Sequence, residues 1–258
     1  MKRNPFVATC LFALFASMAF AQDVVPEVLM DAAQSSVPGR QIDIRGLVPG
    51  MSADEARAAL ASISGTAAEE TTTSTTISSN GIMVRSVPYT RALWVDHDGE
   101  RLSARLSGLS SGNQTVFVQR EADYRNTDRQ APLYEPFLAS LLEKYGTPSF
   151  RKDGQSVTYL IWSYKDGQPA PCDPSGTPQC LEPEIAFQYL PQQAEAYDVI
   201  VYAAIGRETG TDRVAIFKLS STDLSIKWTA DEADAAGLRP ALDAALAEAR
   251  AKAPKLAL

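Results

Sequence analysis

Short alternating segments joined by Asp-Gly turns are the feature that most constrains the fold of this chain. Leu93-Trp94-Val95 precedes Asp98-Gly99, and the alternating run Arg101 to Leu106 follows. An Asp-Gly pair between two alternating segments is a strong local signal for a β-hairpin. The tetrapeptide KDGQ occurs twice, at Lys152 to Gln155 and at Lys165 to Gln168, and brackets the run SVTYLIWSY. Both features predict antiparallel strands in hairpin or meander order.

Two helices are predicted by their capping residues and apolar spacing. Ser52 and Glu55 form a capping box, in which each side chain satisfies a free backbone N–H, and Gly65 ends the apolar run that follows. The second predicted helix spans Tyr134 to Tyr145. Its apolar residues fall at helical spacing, and Gly146 and Pro148 follow as stop signals. The apolar positions of this helix are Tyr134, Phe137, Leu138, Leu141, Leu142 and Tyr145.

The remaining segments also carry secondary-structure signals. Gln41 to Ile44, Ile185 to Tyr189, Val199 to Ile205 and Val214 to Leu219 are predicted to be strands. The threonine-rich stretch Thr66 to Gly81 fits either an exposed edge strand or a mobile loop.

The C-terminal section is predicted to be helical. Thr229 and Glu232 form a second capping box, and Gly237 and Pro240 are expected to break this section into two helices. Helices separated by runs of antiparallel strands predict an α+β fold, with helices packed on antiparallel sheet and a C-terminal helix.

The N-terminus has the three parts of a secretory signal peptide. Lys2 and Arg3 precede a mostly apolar run from Phe6 to Phe20, and Ala19-Phe20-Ala21 places small residues before the expected cleavage after Ala21. We therefore expect a signal peptide at 1–21, a leader segment at 22–45 and one α+β domain at 46–258, or two subdomains that meet near residue 130. This organisation predicts a periplasmic or secreted protein of a Gram-negative bacterium, with no stable membrane anchor after cleavage.

Charge argues against one class of partner. The formal net charge is −7, and loss of the two cations Lys2 and Arg3 with the signal peptide takes it to −9. An acidic chain without a basic cluster repels phosphate backbones, so nucleic acid is not an expected partner.

Two cysteines remain after the expected cleavage. Cys172 and Cys180 lie in PCDPSGTPQC, and an exported chain with such a pair is expected to form one small disulfide loop. A zinc site would need more soft ligands than two cysteines and one distant histidine, and a redox pair is usually C-x-x-C. No metal or cofactor is predicted.

Two motifs resemble catalytic patterns but lack the required context. Gly108 to Gly112 matches G-x-S-x-G around Ser110, but a nucleophile elbow needs a helix after the serine and a histidine later in the chain. The only histidine, His97, precedes it and adjoins the predicted Asp98-Gly99 turn. A hairpin loop for Ser110 and a solvent-facing His97 are the better interpretations, and no catalytic residue is assigned.

The aromatic strand offers the best binding candidates. Trp162 and Tyr164 share one face of this strand and Tyr159 lies on the other, because side chains alternate along a strand. Most such aromatics are core residues. If the face of Trp162 and Tyr164 is exposed, it is a good recognition surface, since aromatics dominate interface energetics.

The order of elements resembles a family of small exported domains. GLVPGMSADEARAAL, from Gly46 to Leu60, precedes a meander and then LASLLEKYGTPS. This order is similar to β-lactamase-inhibitor-protein-like domains, and the G-M-[ST]-x-x-E-[VA] helix start is similar to that of SmpA/OmlA-type outer-membrane-assembly lipoproteins. The chain departs from the lipoproteins because no lipobox cysteine follows the apolar run. The resemblance implies protein–protein binding in the cell envelope.

The leading hypothesis is therefore a non-enzymatic exported protein that binds an envelope protein or assists an envelope process. A hydrolase of envelope material with an unassigned acidic site is the first alternative. A small-ligand carrier, with a cavity between the sheet and the Tyr134 to Tyr145 helix, is the second.

Overall fold

The computed structural model describes residues 22–31, 33–125, 130–173 and 180–253. The expected signal peptide, 1–21, lies outside these residues. Within the described ranges, no helix combines the length and the apolar character that a membrane span requires.

A large antiparallel sheet of nine strands organises the fold, which is α+β as predicted. Eight strands follow the order β10-β9-β11-β12-β7-β6-β5-β2, and β8 pairs with β9. The strands are β2 Glu69–Thr73, β5 Tyr89–His97, β6 Glu100–Leu106, β7 Thr115–Asp123, β8 Phe150–Asp153, β9 Val157–Lys165, β10 Gln168–Pro169, β11 Val199–Arg207 and β12 Val214–Asp223.

Two helices cover one face of this sheet, which we call the inner face. They are α2, Ala53–Ser64, and α3, Tyr134–Tyr145, and both have the predicted positions. Leu60 from α2 and Leu138 from α3 join inward-facing strand residues such as Leu102 and Trp162 in the main core. The predicted capping box is present, since Ser52 Oγ accepts from the Glu55 amide and the Glu55 carboxylate accepts from the Ser52 amide.

The opposite, outer face is covered only in part. Three short helical segments lie over the outer side of β9, β11 and β12: α4, Pro183–Ala186, a 3-10 turn, Phe187–Tyr189, and α5, Leu190–Ala196. Phe187 also packs edge-on against Phe117 of β7. There Ile161 and Ile200 pack against Ala186 and Leu190 in a second, smaller core. Leu224 and Trp228, near the start of the C-terminal helix, also join this second core.

A small sheet and the long C-terminal helix complete the fold. β1, Gln22–Val24, β4, Ile82–Ser86, and β3, Thr76–Ser79, form a sheet in the order β1-β4-β3. Helix α6, Leu224–Lys252, packs Leu238 and Leu242 against Val84 of this sheet.

The hairpin predictions are confirmed. β5 ends at His97 and β6 begins at Glu100, and both Asp98 and Gly99 have positive φ, as a two-residue turn of this kind requires. Each KDGQ lies at a turn next to β9. The threonine-rich stretch contains an exposed edge strand, β2, which pairs with β5.

Two predicted strands are wrong. Gln41 to Ile44 lies largely in a single helical turn, α1, Gly39–Ile42, and Ile44 makes only an isolated bridge to Leu47. Ile185 to Tyr189 lies in α4 and the 3-10 turn, not in a strand. Pro183 occupies the first turn of α4, where its missing N–H leaves no bond unmade, and this start outweighs the alternation of apolar residues that follows.

The predicted break in the C-terminal helix is also wrong, because α6 is continuous through Pro240. Pro240 and Ala236 lie on the exposed side of α6, so water can satisfy the Ala236 carbonyl that proline leaves without its helical donor. Gly237 is required for packing, since a Cβ there would lie 2.0 Å from Ser110 Oγ. The N-cap of α6 is Asp223, which accepts from the Ile226 amide at 2.9 Å, and Thr229 lies inside the helix.

The predicted disulfide is confirmed. Cys172 and Cys180 are bonded, with a Cα–Cα distance of 5.3 Å. Cys180 is buried in the second core, so the disulfide fixes the start of the segment that covers the outer face.

We expect Trp162→Ala to lower the free energy of unfolding by about 3–5 kcal/mol, because it empties a large buried volume in the main core. Urea unfolding of this variant measures the loss. Tyr159→Ala, on the opposite face of the same strand, is the matched control and should change stability by less than about 1 kcal/mol. Equal losses in the two variants would contradict the placement of the two rings.

The double variant Cys172→Ala/Cys180→Ala should lose about 2.5 kcal/mol or less, since the disulfide closes a short loop. Thermal unfolding with and without a reductant checks this. The reductant should destabilise the wild type and leave the double variant unchanged; a cooperative transition that disappears on reduction would mean that the disulfide holds the whole fold.

Candidate functional site

The open face is the part of the outer face that α4 and α5 leave uncovered. Pairing across four strands places Asp96, Arg101, Glu121 and Lys218 side by side in one row. The next row holds Trp94, Ser103, Gln119 and Ser220. The first row therefore places charged side chains on the open face, whereas Ser220, in the second row, is fully buried.

Charges of alternating sign run along the first row, which we call the charge ladder (Asp96, Arg101, Glu121, Lys218). The Arg101 guanidinium donates two hydrogen bonds to the Asp96 carboxylate, both at 2.8 Å. This contact lowers the pKa of Asp96 below its ordinary value. Glu121 accepts from the Gln119 amide at 2.8 Å. The ladder therefore presents fixed charges on rigid strands, which favours orientation of a partner more than stability of the fold.

Lys218, at the end of the ladder, connects the sheet to the covering segment. Its ammonium bonds to the carboxylates of both Glu182 and Glu184, and Glu184 also accepts from Arg105 at 2.6 Å. Burial alone would raise the pKa of Glu184, but the hydrogen bond and charge of Lys218 outweigh it and lower this pKa. These contacts hold the edge of α4 against the middle of the sheet.

An apolar trough of about 540 Å³ continues from the charge ladder along the open face. Ala204 and Gly206 on β11 form its floor, between Val157 on β9 and Ile216 on β12. The floor is deep because the side chains are small; a Cβ at Gly206 would lie 2.6 Å from Ile216 Cγ1. Ile216 is 37% exposed, and Tyr159, next to Ala204 across the strands, is 36% exposed. The trough is thus an apolar depression with charged side chains at its rim, and the partly exposed Tyr159 ring lies next to its floor residue Ala204.

The aromatic residues predicted to bind, Trp162 and Tyr164, lie on the inner face. Trp162 is 2% exposed and Tyr164 is 5% exposed, so the exposed aromatic face that their binding role requires does not exist there. The helix α3 covers this face, and Tyr145 of α3 packs on Trp162 with ring centroids 5.2 Å apart. Tyr159 is the exposed aromatic of the strand. The alternation of side chains correctly placed Trp162 and Tyr164 on one face of the strand and Tyr159 on the other. Which of these faces the helices cover depends on the tertiary structure.

Ser110 is buried against helix α6. It is 1% exposed, its hydroxyl has no hydrogen-bond partner, and it packs against Gly237 of α6. The loop around it is held by Asp234, whose carboxylate accepts from the Gly108 amide at 2.6 Å and from Ser111 Oγ at 2.9 Å. The loop is followed by β7, so the strand-to-helix geometry of a nucleophile elbow is absent at this position.

His97 lies at the end of β5, as predicted, with its side chain 36% exposed and Nε2 at 3.4 Å from an Asp98 carboxylate oxygen. Across the described ranges, no group of three or more histidine, cysteine, aspartate or glutamate side chains is arranged to hold a metal ion.

The fold and the open face define an α+β protein with one side of its main sheet half uncovered. No protein-family model matches the chain, and neither the curated proteins nor the solved structures contain a match. The site must therefore be interpreted from its own geometry.

Asp234→Asn should destabilise the protein by about 1–3 kcal/mol at neutral pH, because the loop around Ser110 loses its charged acceptor. Burial raises the pKa of Asp234 in the folded protein. The folded state therefore binds this proton more tightly than the unfolded chain, whose aspartate pKa is about 3.9. The stabilisation that comes from binding this proton is fully present below the pKa of Asp234 in the unfolded chain. It is lost as the pH rises through the higher pKa of Asp234 in the folded protein.

Urea unfolding of wild type and Asp234→Asn at several pH values between neutrality and about pH 4 checks this linkage. The stability difference in favour of the wild type should grow as the pH falls. A difference that shrinks on acidification would show that the pKa of Asp234 is lowered instead.

Proposed function

We propose that this protein is an exported, non-enzymatic protein that binds an envelope protein through the open face of its main sheet. The N-terminal signal-peptide pattern and the Cys172–Cys180 disulfide support export to the periplasm or beyond. The resemblance of Gly46 to Leu60 to exported protein-binding domains points in the same direction.

The observation that carries the proposal is the trough beside the charge ladder. A depression of about 540 Å³ with an apolar floor accommodates one or two large side chains of a partner. Buried anchor side chains that fill such pockets supply most of the binding free energy of protein interfaces. The neighbouring charges of Asp96, Arg101 and Glu121 provide the polar rim that fixes orientation.

The site stands on strands that do not need to rearrange. β7, β12 and β11 are central strands of the sheet, and Phe217 and Ile205 behind the trough are buried in the main core. A site on rigid elements is already organised before binding, so less free energy is lost on association.

The two buried aspartates with a raised pKa have structural contacts, which favours the binding function over the hydrolase alternative. Burial raises the pKa of Asp223 and Asp234, the property expected of a catalytic acid. Both carboxylates, however, accept from backbone amides, of Ile226 and Gly108 respectively. Neither lines the trough.

The test is a comparison of two matched arginine substitutions. Ile216→Arg closes the trough, and Met83→Arg places the same side chain at an exposed apolar residue of the small sheet. We expect wild type and Met83→Arg to retain the same stoichiometric partner from an envelope extract, and Ile216→Arg to bind it at least about tenfold more weakly.

Affinity of the purified partner for each variant, measured by calorimetry, gives the ratio, and circular dichroism verifies that each variant is folded. A partner that binds Ile216→Arg as tightly as wild type would place the interface elsewhere. Absence of any saturable partner would count against a binding function.

A further inference from the structure

The trough of the open face has two unlike ends. Its lining residues lie on six strands that are neighbours in the sheet, in the order β9-β11-β12-β7-β6-β5, or in the turn between β5 and β6. Val157, Gly206 and Ile216 form an apolar end on β9, β11 and β12, whereas Glu121 and Asp123 place carboxylates on β7. A molecule that fills the trough must therefore match an apolar surface and a charged one at the same time.

Glu121 is a carboxylate of the trough to which no arginine or lysine of the described ranges is directly paired. It is half-buried, and it accepts one hydrogen bond, from the Gln119 side-chain amide at 2.8 Å. Asp123, by contrast, accepts from the Arg125 guanidinium at 2.9 Å. A carboxylate has about four acceptor positions, so Glu121 keeps most of its acceptor capacity for a donor from outside the chain.

Two cations flank Glu121 across the strands, but both are bound to other carboxylates. Arg101 on β6 and Lys218 on β12 are its cross-strand neighbours. The Arg101 guanidinium donates two hydrogen bonds to Asp96, so its attraction to Glu121 is electrostatic, without a hydrogen bond. The Lys218 ammonium is bound to two carboxylates at the start of α4. The charge of Glu121 is therefore only partly compensated, which favours a cationic group in the trough.

We propose that the trough selects a partner segment in which a basic residue, arginine or lysine, lies two positions from a large apolar residue. This inference rests on the proposed function and names the chemistry of the partner. The apolar residue packs on the floor at Gly206 and Ile216, and the cation pairs with the Glu121 carboxylate. The charged group fixes which residue stands beside the anchor, and the apolar floor provides the area that the anchor buries.

The spacing follows from the geometry of the sheet. Gly206 on β11 and Glu121 on β7 are two strands apart, which is about 10 Å. In an extended segment, residues two positions apart point to the same side and lie about 7 Å from each other. The long stem of arginine or lysine covers the remaining distance, and such stems pack well on apolar surface of the kind that Ile216 offers.

Segments of other chemistry fit the site less well. A purely apolar segment would cover the Glu121 carboxylate without supplying a partner, which is unfavourable for a charged group. An acidic segment would bring like charge next to Glu121 and Asp123. The formal net charge of the chain, −7, also favours a basic partner, because opposite charges speed association.

The experiment uses a capped peptide, Gly-Arg-Ser-Leu-Ser-Arg-Gly, and a second peptide with citrulline at both arginine positions. Citrulline keeps the shape of arginine without its charge, and an arginine on each side of the leucine makes the direction of the peptide unimportant. Titration of the arginine peptide into isotope-labelled protein should give saturable shifts of the Gly206 and Ile216 amides. We expect the citrulline peptide to bind about fivefold more weakly, because it cannot form the ion pair with Glu121.

Glu121→Gln removes the charge and keeps the size of the side chain, so the preference for the arginine peptide should fall below about twofold in this variant. Glu143→Gln is the matched control. It removes the same charge from an exposed residue of α3, on the inner side of the sheet, and should keep the fivefold preference. Unchanged amide shifts outside the substituted region verify that each variant is folded.

Equal affinity of the two peptides for wild type, or an arginine preference that survives in Glu121→Gln, would overturn the inference. If both peptides nevertheless lose affinity in Ile216→Arg, the proposed binding function of the trough stands and only its preference for a cation is wrong. Absence of saturable shifts with the arginine peptide would also overturn the inference, whereas retention of a partner from the envelope extract decides the proposed function separately. Shifts that map outside the trough and persist in Ile216→Arg would contradict both.

Discussion

The need to cover both faces of a nine-stranded sheet is the constraint on which the rest of this structure depends. β9 and β11 carry apolar side chains on both sides, with Trp162 and Val201 inward and Ile161 and Ile200 outward. Helices α2 and α3 cover the inner side, whereas α4, α5, the intervening turn and the start of α6 cover part of the outer side. Where that cover stops, the open face begins, with a row of charged side chains and, beside it, the apolar floor formed by Ala204, Gly206 and Ile216.

A buried carboxylate, Glu100, is paired on the inner side of β6 and β7. Glu100, with 1% of its side chain exposed, accepts two hydrogen bonds from Arg120 at 2.8 Å and one from Tyr124 at 3.0 Å. These three hydrogen bonds compensate for the burial of the Glu100 carboxylate, since a buried carboxylate without partners would be strongly destabilising. Glu100 and Arg120 belong to β6 and β7, the strands that present Arg101 and Glu121 to the outside. The same two strands therefore carry the Glu100–Arg120 pair on one face and the Arg101–Glu121 pair on the other, because successive side chains of a strand point to opposite sides.

The strand β9 serves the core and the open face at the same time. Its inward residue Trp162 is buried in the main core, whereas its outward residue Tyr159 is partly exposed beside Ala204 of the trough. The trough itself has an apolar floor with charged residues at its rim. One strand thus supplies both packing and exposed surface because its side chains alternate.

The sequence by itself determined the local elements whose signals depend on neighbouring residues: the Ser52 capping box, the Asp98-Gly99 hairpin, the α3 periodicity and the Cys172–Cys180 pair. It misplaced elements decided by distant contacts. Pro240 does not end α6, because water can satisfy the freed carbonyl and Gly237 packs on Ser110. Alternation divided Tyr159 from Trp162, but only the tertiary structure decided that helices cover Trp162 and leave Tyr159 exposed. The trough needs Ala204, Gly206 and Ile216 from two strands, and no local pattern brings them together, because side-by-side placement depends on the register of the whole sheet.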